Sequence, residues 1–470
     1  MISIKFENLG VLEYGEINLS DLTIVCGENN TGKTYVTYLV YCLLRTWKHL
    51  IDINLNSVFD ELRRNGVTKV DLQKMVADSW IEICANALDK FEEQFPEMLA
   101  SKSELFSKLK LSIDMPLGQA WKARDYENEL RSTRGNLLIT MTKSAGSTEI
   151  ELAAPETEKL NVQSITALGN FIEERLLDLM LEDVIPNIFI ASTERTGATT
   201  FKKQLNLATS NVIDLLSQVH KEGADSITPN KVFETIYGRP EYALPVRHNV
   251  QFINQLPNTN AEDGELFKSA PELLKRFETI VGGSYVTNKE GVTYFQPKGS
   301  DLKLSLGEVS SSVRSLLIVW YWIKHFAKRG DMLMLDEPEL NLHPANQRRL
   351  ARFIVALVNH GIKIFITTHS DYIIREFNTL IMLNQDSEKL KGIREKLADY
   401  VEVDKLNPDR VSLYMARDKY ILRSGYKRKS KTKTLIKAEI SSTLGIEARS
   451  FDETIDDMNA VQEAIYYGLN

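Results

Sequence analysis

Leu22-Thr23-Ile24-Val25-Cys26-Gly27-Glu28-Asn29-Asn30-Thr31-Gly32-Lys33-Thr34 is the stretch that decides the fold. An apolar strand, Leu22–Cys26, runs straight into a glycine-rich turn. A helical segment follows to Trp47, with Tyr35, Leu39, Tyr41, Cys42 and Leu43 as its apolar residues. The turn matches G-x-x-x-x-G-K-[ST] in full. Its glycines let the backbone curl so that successive N–H groups face a phosphate, and the helix behind it adds a positive N-terminus. On this reading Gly27, Asn29, Asn30, Thr31, Gly32, Lys33 and Thr34 bind a nucleotide. Lys33 supplies a cation to the β- and γ-phosphates, and Thr34 offers its hydroxyl to Mg²⁺.

Working outward, a second motif is Met332-Leu333-Met334-Leu335-Asp336-Glu337-Pro338. Asp336, at the end of an apolar strand, is placed to hold Mg²⁺, and Glu337 beside it to polarise an attacking water. The bland alternative is a strand end followed by an acidic turn. A third motif, Thr367-Thr368-His369-Ser370, closes the next strand. His369 there would hydrogen-bond the γ-phosphate or the water. Between these motifs lies the most organised part of the chain. A helix over Ser310–Ala327 ends in Lys328-Arg329-Gly330, a basic last turn with a glycine stop. Pro344–Asn359 reads as a helix with proline suited to its first turn. Ile362–Thr367 reads as a strand. Alternation of helix and strand implies parallel strands with crossover helices, an α/β class.

The segments divide as 1–47, the P-loop part of a head; 48–184, a mainly helical insertion; 185–304, a mixed segment completing the head; 305–385, its C-terminal part; and 386–470, a tail with a basic run. In 48–184 apolar residues such as Val58, Leu62, Val76, Trp80 and Ile83 recur at helical intervals, with a hairpin read at Leu137–Met141 and Glu149–Leu152. Ile2–Phe6 and Glu16–Leu19 read as strands, as does Ile185–Ala191, which leads into the polar turn Ser192–Gly197. Arg195 in that turn is either structural or faces a phosphate or DNA. Residues 199–280 read as mainly helical, and Tyr285–Lys303 as two or three short strands. Lys427–Lys433 is a solvated loop or a contact for nucleic acid or an acidic protein.

The composition excludes several classes. The net charge of −7 argues against a dedicated nucleic-acid coat but is silent on a local basic patch. The three cysteines form no C-x-x-C pair, which disfavours a zinc hook and fits a reducing cytosol. No stretch reaches the roughly 18–20 apolar residues of a membrane span, and the N-terminus lacks a signal-peptide run. The expectation is a cytoplasmic protein with no membrane segment.

Together the motifs resemble those of ABC-type ATPases, in the branch that holds RecF, the SMC proteins and the OLD-type ATPases. The resemblance covers 1–47 and 300–385. It matches Gly27–Thr34 to the Walker A, Asp336-Glu337 to the Walker B and its glutamate, Asn341-Leu342-His343-Pro344 to the D-loop, and His369 to the switch histidine. The family's signature, typically L-S-G-G-Q, is replaced by Leu306-Gly307-Glu308-Val309-Ser310-Ser311-Ser312-Val313-Arg314, without the paired glycines. Ser310, Ser311 and Ser312 remain as candidates to meet the γ-phosphate bound to another subunit, and no glutamine is assigned as a Q-loop. The resemblance implies an ATP- and Mg²⁺-dependent head that works at least as a homodimer.

Glu-Val-Ser-Ser-Ser-Val-Arg, Asp-Glu-Pro-Glu-Leu-Asn-Leu-His-Pro, Thr-Thr-His-Ser-Asp-Tyr and Ile-Ala-Ser-Thr-Glu-Arg-Thr-Gly are similar to stand-alone ATPase subunits of bacterial anti-phage defence systems, PARIS above Septu. That resemblance implies a sensor and scaffold for a separate effector, most simply a nuclease, responding to a phage trigger. The last ~90 residues offer no Asp-x-Asp for a Toprim nuclease, and nothing along the sequence sustains heptads over the length SMC-like arms require. A RecF-like repair ATPase acting on DNA and a transporter's nucleotide-binding subunit are the alternative classes.

Overall fold

The computed structural model describes residues 2–77, 80–131, 135–154, 162–200, 242–256, 262–288, 291–385, 400–421, 430–443, 445–446 and 449–468, with the isolated positions 392 and 397. Most of the segment read as helical over 199–280, and Lys427–Lys429 of the basic run, lie outside the described residues. The chain divides into two compact units. One comprises residues 1–4, 43–94 and 111–186, the other 5–42, 95–110 and 187–470.

The chain opens with β1 (Ser3–Leu9), β2 (Leu12–Asn18), β3 (Leu22–Gly27) and α1 (Lys33–Leu50). Then come α2 (Asn56–Asn65), β4 (Val67–Asp71), α3 (Leu72–Ala77), α4 (Trp80–Met98), β5 (Lys110–Asp114), β6 (Tyr126–Arg131), β7 (Leu137–Lys143), β8 (Glu149–Ala153) and α5 (Val162–Leu181). After them run β9 (Ile188–Ala191), α6 (Arg195–Thr200), α7 (Leu244–Asn254), α8 (Glu265–Ser269), α9 (Glu272–Val281), β10 (Gly283–Thr287), β11 (Thr293–Pro297) and β12 (Leu304–Ser305). The series closes with α10 (Ser311–His325), β13 (Met332–Asp336), α11 (Pro344–Asn359), β14 (Lys363–Thr368), α12 (Asp371–Met382), β15 (Val411–Ile421), β16 (Ser430–Lys437), β17 (Ile440–Ser441), β18 (Gly445–Ile446) and α13 (Arg449–Gly468).

The smaller unit keeps the expected helices and the expected hairpin, β7 with β8. The helical reading of 48–184 did not contain β4, β5 or β6, and β4 and β6 join the hairpin in an antiparallel sheet in the order β4-β8-β7-β6. Ile139, Met141, Ile150 and Leu152 alternate inward, the period of a half-buried sheet. Val58 and Leu62 form the buried stripe of α2, which ends where Gly66 adopts φ +72° and returns its N–H to the Leu62 carbonyl at 2.8 Å.

The larger unit is built on a sheet that includes the run β1-β2-β16-β15-β3-β14-β13-β9. β3, β13 and β14 pair in parallel and are buried almost throughout. Burial on both faces is why they read as unbroken apolar runs rather than alternating ones. α10 buries every residue from Ser315 to Ile323. The most apolar run of the chain is therefore an interior helix, apolar all round. Among the described residues no helix is long and apolar enough to cross a membrane. Phe277 of α9 meets Phe353 of α11 edge-on at 5.4 Å, and Trp322 stacks on Phe189 of β9 at 5.5 Å.

The segment 386–470 is not merely a tail. β15 inserts beside β3 in parallel, and β16 returns antiparallel to it. Val411–Ala416 are all buried, but the apolar stretch is short and continues as Arg417-Asp418-Lys419, which hides it in the sequence. Part of the basic run belongs to this sheet: Lys431 and Lys433 lie in β16, and Lys431 pairs with Asp418 at 2.8 Å.

Candidate functional site

The parallel register brings the three motifs to one edge. Asp336 lies opposite Thr367, and Thr367 opposite Val25. Strands sit about 4.8 Å apart, so the turn after β3, the acidic turn after β13 and His369 after β14 emerge side by side at the carboxyl ends of the sheet.

The Gly27–Thr34 turn is shaped by close approach and by backbone sign. Gly27 has φ +145°, and a Cβ there would stand 2.5 Å from the Ala416 carbonyl of β15. Gly32 has φ +97°, and a Cβ there would meet Leu12 at 2.9 Å. Neither position accepts a side chain without displacing its neighbours. Lys33 is buried, and its ammonium donates to the carbonyls of Gly27 (2.9 Å) and Glu28 (2.8 Å). The Thr31 hydroxyl donates to Glu28 O at 2.8 Å. Thr34 and Asn29 are exposed. Lys433 of β16 reaches the Asn30 carbonyl at 3.5 Å, a contact invisible in the sequence.

Asp336 is fully buried. Its Oδ1 accepts the Thr367 hydroxyl, and its Oδ2 has no hydrogen-bond partner among the described residues. Burial pushes the carboxyl up from 3.8 to about 6, against the Thr367 hydrogen bond that lowers it. Glu337 follows with φ +46°, a backbone region that costs a residue bearing Cβ about 1–3 kcal/mol and persists only where the surroundings impose it. They do so here. The Glu337 N–H donates to Thr367 Oγ1 at 3.0 Å, and its carbonyl accepts from Arg195 at 3.0 Å. The Glu337 carboxylate lies 3.4 Å from His369 Nδ1.

Two residues of this edge were not singled out as site residues in the sequence. Glu339, the second glutamate of Asp-Glu-Pro-Glu, is buried. Its Oε1 accepts the Thr368 hydroxyl (2.7 Å) and the His369 N–H (2.8 Å), and lies 3.4 Å from His369 Nδ1. Burial raises its carboxyl above the usual range. A carboxylate between Pro338 and the apolar Leu340 and Leu342 was the available signal. Gln347 of α11 is the other: it accepts the Ser370 hydroxyl at 2.5 Å and donates to Leu342 O at 2.9 Å. Arg195, left open between a structural and a ligand-facing role, is interior. All its bonds described here go to backbone carbonyls.

The serine segment is held differently. Ser310 caps α10, accepting from Val313 N, and its Oγ lies 2.8 Å from Ser312 Oγ. Arg314 donates to Val309 O at 2.7 Å and to Ser311 Oγ at 3.3 Å. These bonds are local, and the three serines are exposed or half-buried. In the Asn341–Pro344 segment, Asn341 has φ +64° and His343 caps α11 by accepting from Ala345 N.

A glycine-rich turn between a buried parallel strand and a helix, with an acidic strand end two strands away, defines a P-loop ATPase. The chain belongs to the AAA ATPase domain family (AAA_15), whose model matches residues 1–374. No curated protein matches the sequence. Among solved structures it is similar to an Smc head domain with an extended coiled coil bound to the C-terminal domain of ScpA, derived from Pyrococcus furiosus. That match has 10% identity and a TM-score of 0.33, covering 98% of this chain and 100% of that one. It is also similar to the SMC head domain from Thermotoga maritima, at 9% identity and a TM-score of 0.26, covering 80% and 90% of the two chains.

Proposed function

We propose that the chain binds Mg-ATP through Gly27–Thr34 and hydrolyses it with Glu337. The observation that carries this reading is the pair formed by a buried, half-unsatisfied Asp336 carboxylate and the Glu337 carboxylate beside it, at the strand ends that also carry the P-loop. The donor set suits Mg²⁺. Among the described residues no group of three or more His, Cys, Asp or Glu is placed to cage a metal, and Mg²⁺ is ordinarily held by one or two protein oxygens plus phosphates. Thr34 Oγ1 and Asp336 Oδ2 would be those oxygens, and the ion would offset phosphate charge. Lys33 leaves the loop carbonyls for the phosphates. Glu337 orients the attacking water, and His369, held by Glu339 through its backbone N–H, meets the γ-phosphate side. Ser310–Ser312 act on nucleotide held by a second copy, which makes a dimer of heads the working unit.

At the level of biology the reading is an ATP-dependent sensor and scaffold of an anti-phage defence system, of the kind represented by AriA of PARIS, holding a separate nuclease-like effector. Its support is the wording of the four motif segments. Purification of the tagged chain from its native operon, beside Lys33→Ala and Glu337→Gln, tests it. A nuclease-like chain whose retention changes in the variants is expected. A dimer that retains DNA and no protein in every case moves the chain to the RecF-like repair class.

A further inference from the structure

Arg195 is a fully buried cation for which the proposed chemistry has no use. Its guanidinium donates from Nε to Ser315 O (3.0 Å), from one terminal nitrogen to Ser192 O (2.8 Å) and Asp336 O (2.7 Å), and from the other to Glu337 O (3.0 Å). The four carbonyls come from three places: the exit of β9, the first turns of α10, and the acidic turn after β13. Burial lowers the tendency of the guanidinium to stay charged, and the carboxylates of Asp336, Glu339, Glu194 and Glu337 oppose that. A buried cation spent on carbonyls is costly to keep unless its geometry is needed.

We infer that Arg195 is the positioning residue for Glu337: it holds the Glu337 peptide in its left-handed conformation and in register with the start of α10. This rests on Glu337 being the hydrolytic glutamate. The peptide is pinned from two sides, its N–H on Thr367 and its carbonyl on Arg195. Only a planar, forked cation reaches Ser315 O and Glu337 O together, because an ammonium is a single point of charge. Without the fork the Glu337 backbone loses one of its two anchors and relaxes toward ordinary φ, which displaces the carboxylate without touching the phosphate-binding turn.

The test is steady-state ATP hydrolysis and equilibrium nucleotide binding by the full chain as Arg195→Lys and Arg195→Gln, with turnover counted per nucleotide-binding site so that any unfolded fraction drops out. The expected result is a kcat lower by about 10²-fold, the effect of misplacing a catalytic group by roughly 1 Å, with KM and nucleotide affinity within about threefold of wild type. Wild-type kcat in either variant overturns the inference. So does loss of nucleotide binding in step with kcat, which assigns the guanidinium to the fold alone. Glu337→Gln run alongside separates the two levels. If that variant hydrolyses ATP at the wild-type rate, the reading of Glu337 fails, whatever Arg195 does.

Discussion

The carboxyl edge of the sheet and the start of α10 are both candidate phosphate-contacting regions, and they are built in opposite ways. At the sheet edge, polar atoms are bound across long stretches of chain. Thr367 joins Asp336, Glu339 joins Thr368, and Arg195 joins Ser315 and Glu337. At the start of α10 the serines, exposed or half-buried, bond among the described residues to neighbours a few residues away. The first region is a site whose parts one chain fixes against each other. The second is a preformed helix cap with acceptors and donors to spare, suited to an anion that something else brings. Rigidity is concentrated on the proposed catalytic acids, not on the serines proposed to meet a ligand held by another copy.

The largest effect that could break this contrast is Glu337→Gln. Turnover should fall by about 10²–10⁴-fold with nucleotide binding retained, since only the water-orienting group is lost. Hydrolysis near the wild-type rate would mean the sheet edge is not the hydrolytic centre. A mixing experiment sharpens the contrast. Glu337→Gln and the double variant Ser310→Ala/Ser312→Ala should each be inactive alone. Mixed, they should regain about a quarter of wild-type turnover, because half the dimers are mixed and one of their two sites is intact. No recovery would confine the serines to their own chain.

Asp336→Asn comes next. The unfolded chain releases this proton near 3.8, whereas the folded chain keeps it to about 6. The folded state therefore binds more protons in that window, and stability falls as pH rises through it. Without Mg²⁺ the variant should be more stable than wild type at pH 7.5 by on the order of 1–3 kcal/mol, with the advantage shrinking at pH 5 and protection by Mg-ATP lost. Thermal melts at both pH values check this, and a variant less stable at both would contradict the buried, half-unsatisfied carboxylate. The smallest effect is Ser310→Ala, about 1 kcal/mol from loss of an N-cap. A larger drop in stability would make the serine segment a tertiary element after all.

The sequence determined the motifs, and with them the strand–turn–helix at Gly27–Thr34, the strand Met332–Asp336 and the helix Pro344–Asn359. Each of these carries its own local signal: an apolar run, a glycine whose φ is positive, a proline at a first turn. It also fixed the α/β class. Tertiary structure decided the rest, because the deciding contacts join residues far apart. β15 takes its place beside β3, and β16 beside β15, through backbone pairing that leaves little trace in side-chain pattern. β4 is a short strand whose partner, β8, comes from much later in the chain, and β6 is exposed or half-buried at every position, so no apolar run marks it. Arg195 reads as a polar turn residue until four carbonyls converge on it, and Glu339 as one more surface acid until burial and Thr368 claim it. Local chemistry writes the elements and the phosphate turn; only packing shows which charges are inside.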